Sequence, residues 1–145
     1  MNYSSLVDRC REKNEGWMAA TLSFAGRVEL IKTVLTGNVQ YWIQSFKLPS
    51  SIIRTLESLF SKFLWRDKMH VWAWEKMCVP KSEGGIGLRR LKDINAAAGV
   101  KLAWRCCTSK SIRASWMRSQ YLKGKNFWKA ETHLLHSGTW KFTLV

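Results

Sequence analysis

The sequence predicts a mainly α protein: a helical hairpin plus further helices, with a short irregular or extended Gly-rich segment in the middle. Three observations predict it. Apolar residues recur every three or four positions over residues 24–46, again over 52–64 and again over 91–106. Pro49 stands between the first two stretches, where it ends one helix without disturbing the next. Between Trp65 and Leu88 the periodicity is lost, and Gly84, Gly85 and Gly87 gather there.

From Tyr3 to about Ala20, Leu6, Cys10, Trp17 and Ala20 mark a loosely amphipathic helix, interrupted or ended near Gly16. Phe24, Val28, Ile31, Leu35, Val39, Trp42 and Phe46 form a clearer stripe, roughly six turns long. Ser23 is placed to cap it, because a serine oxygen can accept from the free amides of a first turn. Gly37 costs such a helix about 1 kcal/mol relative to alanine, so it predicts close helix contact or a kink. Ser50 or Ser51 is the expected cap of the next helix. In that helix Ile52, Leu56, Leu59 and Phe63 form one edge, Ile53, Phe60 and Leu64 widen it, and Arg54, Ser58, Ser61 and Lys62 face away. The short connection Leu48–Pro49–Ser50 makes an antiparallel hairpin of the two helices, with the Trp42 and Trp65 rings in the core.

Val71 to Trp74 and Cys78 to Val79 are expected as short extended pieces, followed by a turn at Gly84 to Gly87 where glycine permits positive φ and close backbone approach. Leu91, Ile94, Ala98, Leu102 and Cys106 then restore helical spacing, with Lys101 and Arg105 one turn apart on the other side. After Ser111, Trp116, Tyr121, Phe127 and Trp128 alternate with basic residues, and Ser137 to Val145 read as a clipped end. The expected organisation is a helical bundle over 1–68, an irregular Gly-containing connection over 69–90 and a basic helical segment over 91–145.

Lysine and arginine exceed the acids by 24 to 10, a bias that points to polyanionic partners. It is uneven: residues 1–72 hold 10 basic and 6 acidic side chains, and residues 73–145 hold 14 and 4. From Ile94 to Ala130 there is no acid at all, while Lys101, Arg105, Lys110, Arg113, Arg118, Lys123, Lys125 and Lys129 all fall there. The nine tryptophans can fill a core or stack on bases, with the core the favoured place for any one of them. No run approaches the roughly 18 to 20 apolar residues of a membrane span, and the first residues are too polar for a signal peptide. The expectation is an intracellular chain without a membrane partner, nuclear or cytoplasmic.

Cys10, Cys78, Cys106 and Cys107 include an adjacent pair and no CxxC spacing, so reduced packing thiols are expected. His133 and His136 could share a helical face, but no further ligand stands at zinc-site spacing beside them. No Asp-Asp pair, Walker loop, Gly-x-Ser-x-Gly elbow or His-Glu-x-x-His motif occurs. No enzyme activity and no cofactor are expected of the chain.

Two blocks carry a likeness to a known family. Leu22–Trp42 sets Ser23, Gly26 and Arg27 at the head of an apolar helix, and Val79–Leu91 sets Gly84, Gly85 and Gly87 ahead of Arg89 and Arg90. With the FLWRD join at Phe63 to Asp67, they resemble the thumb and connection region of the reverse transcriptases of non-LTR, LINE-type retrotransposons, from about Tyr3 to about Trp128. Ser23, Gly26 and Arg27 match that family's Ser-x-x-Gly-Arg, and Lys81, Gly84, Gly85 and Gly87 its Pro-Lys-x-x-Gly-Gly-x-Gly. The resemblance implies a non-catalytic piece that lies between the catalytic palm and a zinc-binding module. It would hold an RNA–DNA hybrid or duplex without reading sequence, with the palm domain as a further partner. The alternative is a degenerate helical remnant or protein-interaction module with no independent activity.

The candidate nucleic-acid contacts are Arg27, Lys32, Lys62 and Arg66 on the hairpin, Lys81, Arg89 and Arg90 at the glycine turn, and Lys101 and Arg105 on the later helix. Lysine and arginine on a helical face can neutralise phosphates without reading bases. Each has a plainer reading as well. Ser23 is more simply a helix cap and Gly26 a packing position, while Lys101 and Arg105 suit a solvated face. Arg27 stands out because arginine in a first helical turn opposes the helix dipole and wants an anionic partner.

Overall fold

The computed structural model describes residues 3–18, 22–66, 72–123, 126–130 and 137–143, without the side chains of residues 18 and 129. Ala20, Asp67, Val71, Lys125, His133 and His136 lie outside them, and with them the expectations placed on those residues. The chain is mainly α, with no strand among the described residues. It divides into two compact units, one formed by residues 1–42 and 48–94 and the other by residues 43–47 and 95–145.

Helix α1 (Ser4–Met18) runs straight through Gly16, which is exposed and has open space where a side chain would go. Of the two expectations, interruption at Gly16 is not seen, and the helix ends close by, at Met18. Leu6, Val7 and Cys10 are buried, and Asn14 is buried beside them. The Asn14 amide donates to the Leu59 carbonyl at 3.1 Å, which satisfies part of a polar group that burial would otherwise penalise.

Ser23 caps α2 (Phe24–Leu30) as expected: its hydroxyl accepts from the Gly26 amide at 3.2 Å. A π-helical segment, Ile31–Leu35, follows, and then α3 (Thr36–Ser45). The Thr36 hydroxyl donates to the Ile31 carbonyl at 2.7 Å, at the end of the widened turn. Gly37 does not mark a close helix contact: it is exposed, with nothing within 4 Å of a side chain placed there. The irregularity lies one turn earlier, in the π segment.

Helix α4 (Ser50–Trp65) buries Ile53, Leu56, Phe60, Phe63 and Leu64. Its N-cap is Pro49, with no side-chain hydrogen bond, so neither Ser50 nor Ser51 caps it. Ser61 is buried rather than outward, because it lies beside Phe60 on the face that packs inward. The Phe24 and Trp65 rings meet at 5.8 Å, which sets the start of α2 against the end of α4 and gives the antiparallel hairpin. Helix α1 lies along α4, with Trp17 against Phe63 at 6.0 Å. Trp42 and Trp65 are half-buried at the margin of this core.

The pieces expected to be extended at Trp74 and at Cys78–Val79 are helix and turn. Helix α5 (Trp74–Met77) closes because the Ala73 carbonyl accepts from the Lys76 amide at 3.0 Å, and the Cys78 amide caps it onto Trp74 and Glu75. A 3₁₀ turn, Lys81–Glu83, leads into the glycines. Helix α6 (Leu91–Thr108) then starts with a carboxylate at its head: Glu57 accepts from the Leu91 amide at 2.9 Å.

In the second unit, α7 (Ile112–Met117) is capped by Ser111 and runs into a π-helical segment, Arg118–Leu122. The Arg118 guanidinium donates to the Cys106 and Ser109 carbonyls at 2.6 and 2.8 Å, closing the C-terminal end of α6. Residues Ser137 to Thr143 hold a short helix. Helix α8 (Gly138–Thr143) inserts Trp140, fully buried, among Cys106, Met117 and Leu122, where it stacks on Tyr121 at 4.6 Å. Phe142 packs against α6 at Gly99, where an added methyl would come within 2.9 Å of its ring. Indole and phenyl burial at that level outweighs the cost of ordering a short helix.

Candidate nucleic-acid interface

The glycine turn is built by backbone bonds that fold residues 83–87 back on 77–80. The Gly85 amide donates to the Pro80 carbonyl at 3.1 Å, Ile86 to Met77 at 3.2 Å and Gly87 to Val79 at 3.3 Å. Gly84 and Gly87 have φ of 84° and 72°, in the left-handed region that favours glycine. Gly85 is glycine for another reason, since a side chain there would run into the Val79 carbonyl.

The bare Cα of Gly87 leaves room for two lysines from different parts of the chain. A methyl placed on it would stand 3.4 Å from Lys81 Cγ, 3.7 Å from Lys81 Cε and 3.8 Å from Lys32 Nζ. Lys32 comes from the π segment after α2 and Lys81 from the 3₁₀ turn. The turn therefore brings two cationic stems to one point in the first unit, a pairing that no local pattern announces.

Arg27 and Arg66 make a second cationic pair. Arg27 lies in the first turn of α2, and its Nε and Nη1 are buried with no hydrogen-bond partner. Burial, and then the positive charge of Arg66, hold its guanidinium below the usual arginine range. Arg66 is the C-cap of α4 and takes a left-handed φ of 52°, a conformation that costs a residue with a Cβ about 1 kcal/mol. Among the described residues, no ion pair reaches Arg27, Lys32 or Lys81. An incoming anion would complete Arg27, because its Nε and Nη1 are shielded from water without an acceptor while the residue as a whole is half-buried.

The other sequence candidates are placed differently. Lys62 is exposed on α4, and its carbonyl accepts from the Arg66 amide. Arg89 and Arg90 do not act as a pair: Arg89 is exposed, while Arg90 is half-buried with its guanidinium 3.9 Å from the Glu75 carboxylate. Lys101 and Arg105 are exposed on α6, in the second unit. Glu57, near Arg90, is raised above the usual carboxylate range by burial, against the opposing pull of the Leu91 amide and the Arg90 charge. Among the described residues no three histidine, cysteine or acidic side chains gather as a metal site, and the four cysteines are free thiols. No helix among them is long and apolar enough to cross a membrane.

No protein-family model matches the chain. The chain is similar to an Arabidopsis thaliana protein that bears the name "Putative ribonuclease H protein", with 33% identity over 97% of this chain. The chain spans 23% of that relative's length. This finding corrects the expectation drawn from the two sequence blocks. The match over nearly the whole chain points to a ribonuclease H-named protein, and away from a retrotransposon reverse transcriptase thumb with a palm domain as partner. The residues behind that expectation have local work that explains them: Ser23 and Gly26 form a helix cap, and Gly84, Gly85 and Gly87 form a turn that glycine suits by positive φ or by close backbone approach.

Proposed function

We propose that this chain is a non-catalytic nucleic-acid-binding segment that holds the sugar–phosphate backbone of an RNA–DNA hybrid or other duplex without reading its sequence. The observation that carries this reading is the buried, unpartnered Nε and Nη1 of the half-buried Arg27 beside Arg66, in the same unit as the meeting of Lys32 and Lys81 at Gly87. Four cationic groups, held by a capped helix and a hydrogen-bonded turn, suit phosphate oxygens, whose contacts position a duplex without carrying sequence information. The excess of basic over acidic residues and the ribonuclease name of the Arabidopsis relative support the same partner.

Binding of the chain to a hybrid and a duplex of scrambled sequences, at low salt, tests the reading. Affinity should be independent of sequence and fall when Lys32→Gln and Lys81→Gln are combined. Equal binding by the double variant and the parent protein would place the contact elsewhere, and no binding by either would refute the proposal.

A further inference from the structure

Four of the nine tryptophans are exposed, and three of these stand in the second unit. Trp104 on α6 is 69% exposed, Trp116 on α7 is 56% exposed and Trp128 is 86% exposed. Water-facing indoles on this scale are unusual for side chains whose burial is so favourable. The Arg27 cluster does not use them.

Helix α6 arranges its exposed face by helical spacing. Val100, 65% exposed, and Trp104 are one turn apart, Lys101 is one turn from the indole on its other side, and the exposed Arg105 follows Trp104 in the chain. The Thr108 hydroxyl, one turn beyond, donates to the Trp104 carbonyl at 2.8 Å. Trp116 is fixed from behind: its ring meets Tyr121 edge-on at 5.7 Å, and Tyr121 in turn stacks on the buried Trp140 at 4.6 Å. This indole is held by a chain of rings rooted in the core, so little rotamer freedom remains to be lost on binding.

We infer that α6 and α7 form a stacking surface for single-stranded nucleic acid, with Trp104 and Trp116 against unpaired bases and Lys101 and Arg105 on the phosphates. Charge complementarity selects this occupant. No acidic residue occurs from Ile94 to Ala130, so the face repels cationic partners and offers nothing to the basic side chains of another protein. Exposed flat rings together with cations suit a single strand, since every base presents a π face and every link a phosphate. The inference rests on the nucleic-acid reading above and uses other residues, so the two can fail separately.

The test is a titration of the whole chain against three probes at one salt concentration: an oligothymidylate of about 12 nucleotides, an abasic sugar–phosphate strand of equal length and a duplex of equal length. The parent chain should bind the base-bearing strand at least about 5-fold more tightly than the abasic one. Trp104→Ala and Trp116→Ala should each lower affinity for oligothymidylate by about 5- to 100-fold and leave the abasic strand and the duplex unchanged. Trp104→Tyr should restore most of the loss. Combining Lys32→Gln with Lys81→Gln should weaken duplex binding and leave the ratio between the two single strands as it was. Equal affinity for base-bearing and abasic strands would overturn the inference, as would tryptophan variants that bind oligothymidylate like the parent. Dissociation of a dimer by Trp104→Ala, without a change in oligothymidylate affinity, would assign the face to self-association and overturn it as well.

Discussion

Lys32 and Lys81 meet over Gly87, the ammonium of one and the aliphatic stem of the other each within 4 Å of the point where a β-carbon would sit. The approach is made possible by the turn, in which Gly84 and Gly87 take the left-handed backbone open to glycine. The same unit holds Arg27 beside Arg66, and among the described residues no ion pair reaches Arg27. Clusters of that kind are stabilised by the anion they receive.

The glycine turn should be intolerant of side chains for reasons that differ by position. Gly85→Ala drives a methyl into the Val79 carbonyl, so a loss of about 2 kcal/mol or more is expected in denaturant unfolding. Gly84→Ala meets open space and suffers only from its positive φ, with a loss near 1 kcal/mol. Equal stability of the two variants would show that the turn is not built as described.

Arg66 offers a test that separates stability from binding. Arg66→Gly relieves the left-handed backbone, which by itself favours the variant by up to about 1 kcal/mol, and Arg66→Ala, which keeps that strain and also removes the side chain, should be the less stable of the two. The affinity of Arg66→Gly for a hybrid should nevertheless fall. A variant that is more stable and binds as well would remove Arg66 from the interface.

The C-terminal helix should behave as core. Trp140→Ala removes a fully buried indole from Tyr121, Phe127 and Leu122, and a loss of about 3 to 5 kcal/mol is expected. Thermal or denaturant midpoints measure it. A change under 1 kcal/mol would mean that α8 does not pack as the structure shows.

The thiols should separate by reactivity and by pH. Cys107 is exposed, whereas burial pushes the Cys10 thiol up to about 11 and the Cys78 thiol up to about 12. At pH 8 a disulfide reagent should therefore modify Cys107 first, and Cys10 and Cys78 only as the fold opens. Because the folded values lie above those of free thiols, the stability these neutral groups give is complete below the ordinary thiol value of 9.0. It is lost as pH rises toward 11 and 12. Rapid labelling of Cys78 in the folded chain would contradict its environment.

The helices were legible because their signals are local. Val28, Ile31, Leu35 and Val39 announce a buried face by spacing alone, and Ser23 announces its cap. Ser61 was misplaced because a small residue at the edge of a stripe takes its burial from the neighbouring helix, and Ser50 and Ser51 because Pro49 already sets the entry to α4. Helix α8 is only six residues long, too few turns to show a period, yet it supplies the largest fully buried side chain. At the site, Arg27 could be singled out from its clash with the helix dipole. The approach of Lys81 to Lys32 could not, since it depends on how the glycine turn folds back between distant segments. The engagement of Arg90 by Glu75 was hidden for the same reason.

The most direct test of a phosphate-gripping chain is the dependence of its hybrid affinity on salt. If Arg27, Lys32, Arg66 and Lys81 each neutralise one phosphate, the logarithm of the binding constant should fall with the logarithm of salt concentration at a slope of about −3 to −4. The combined Lys32→Gln and Lys81→Gln variant should reduce that slope by about 2. A slope near zero, or a slope that the double variant leaves unchanged, would contradict the account.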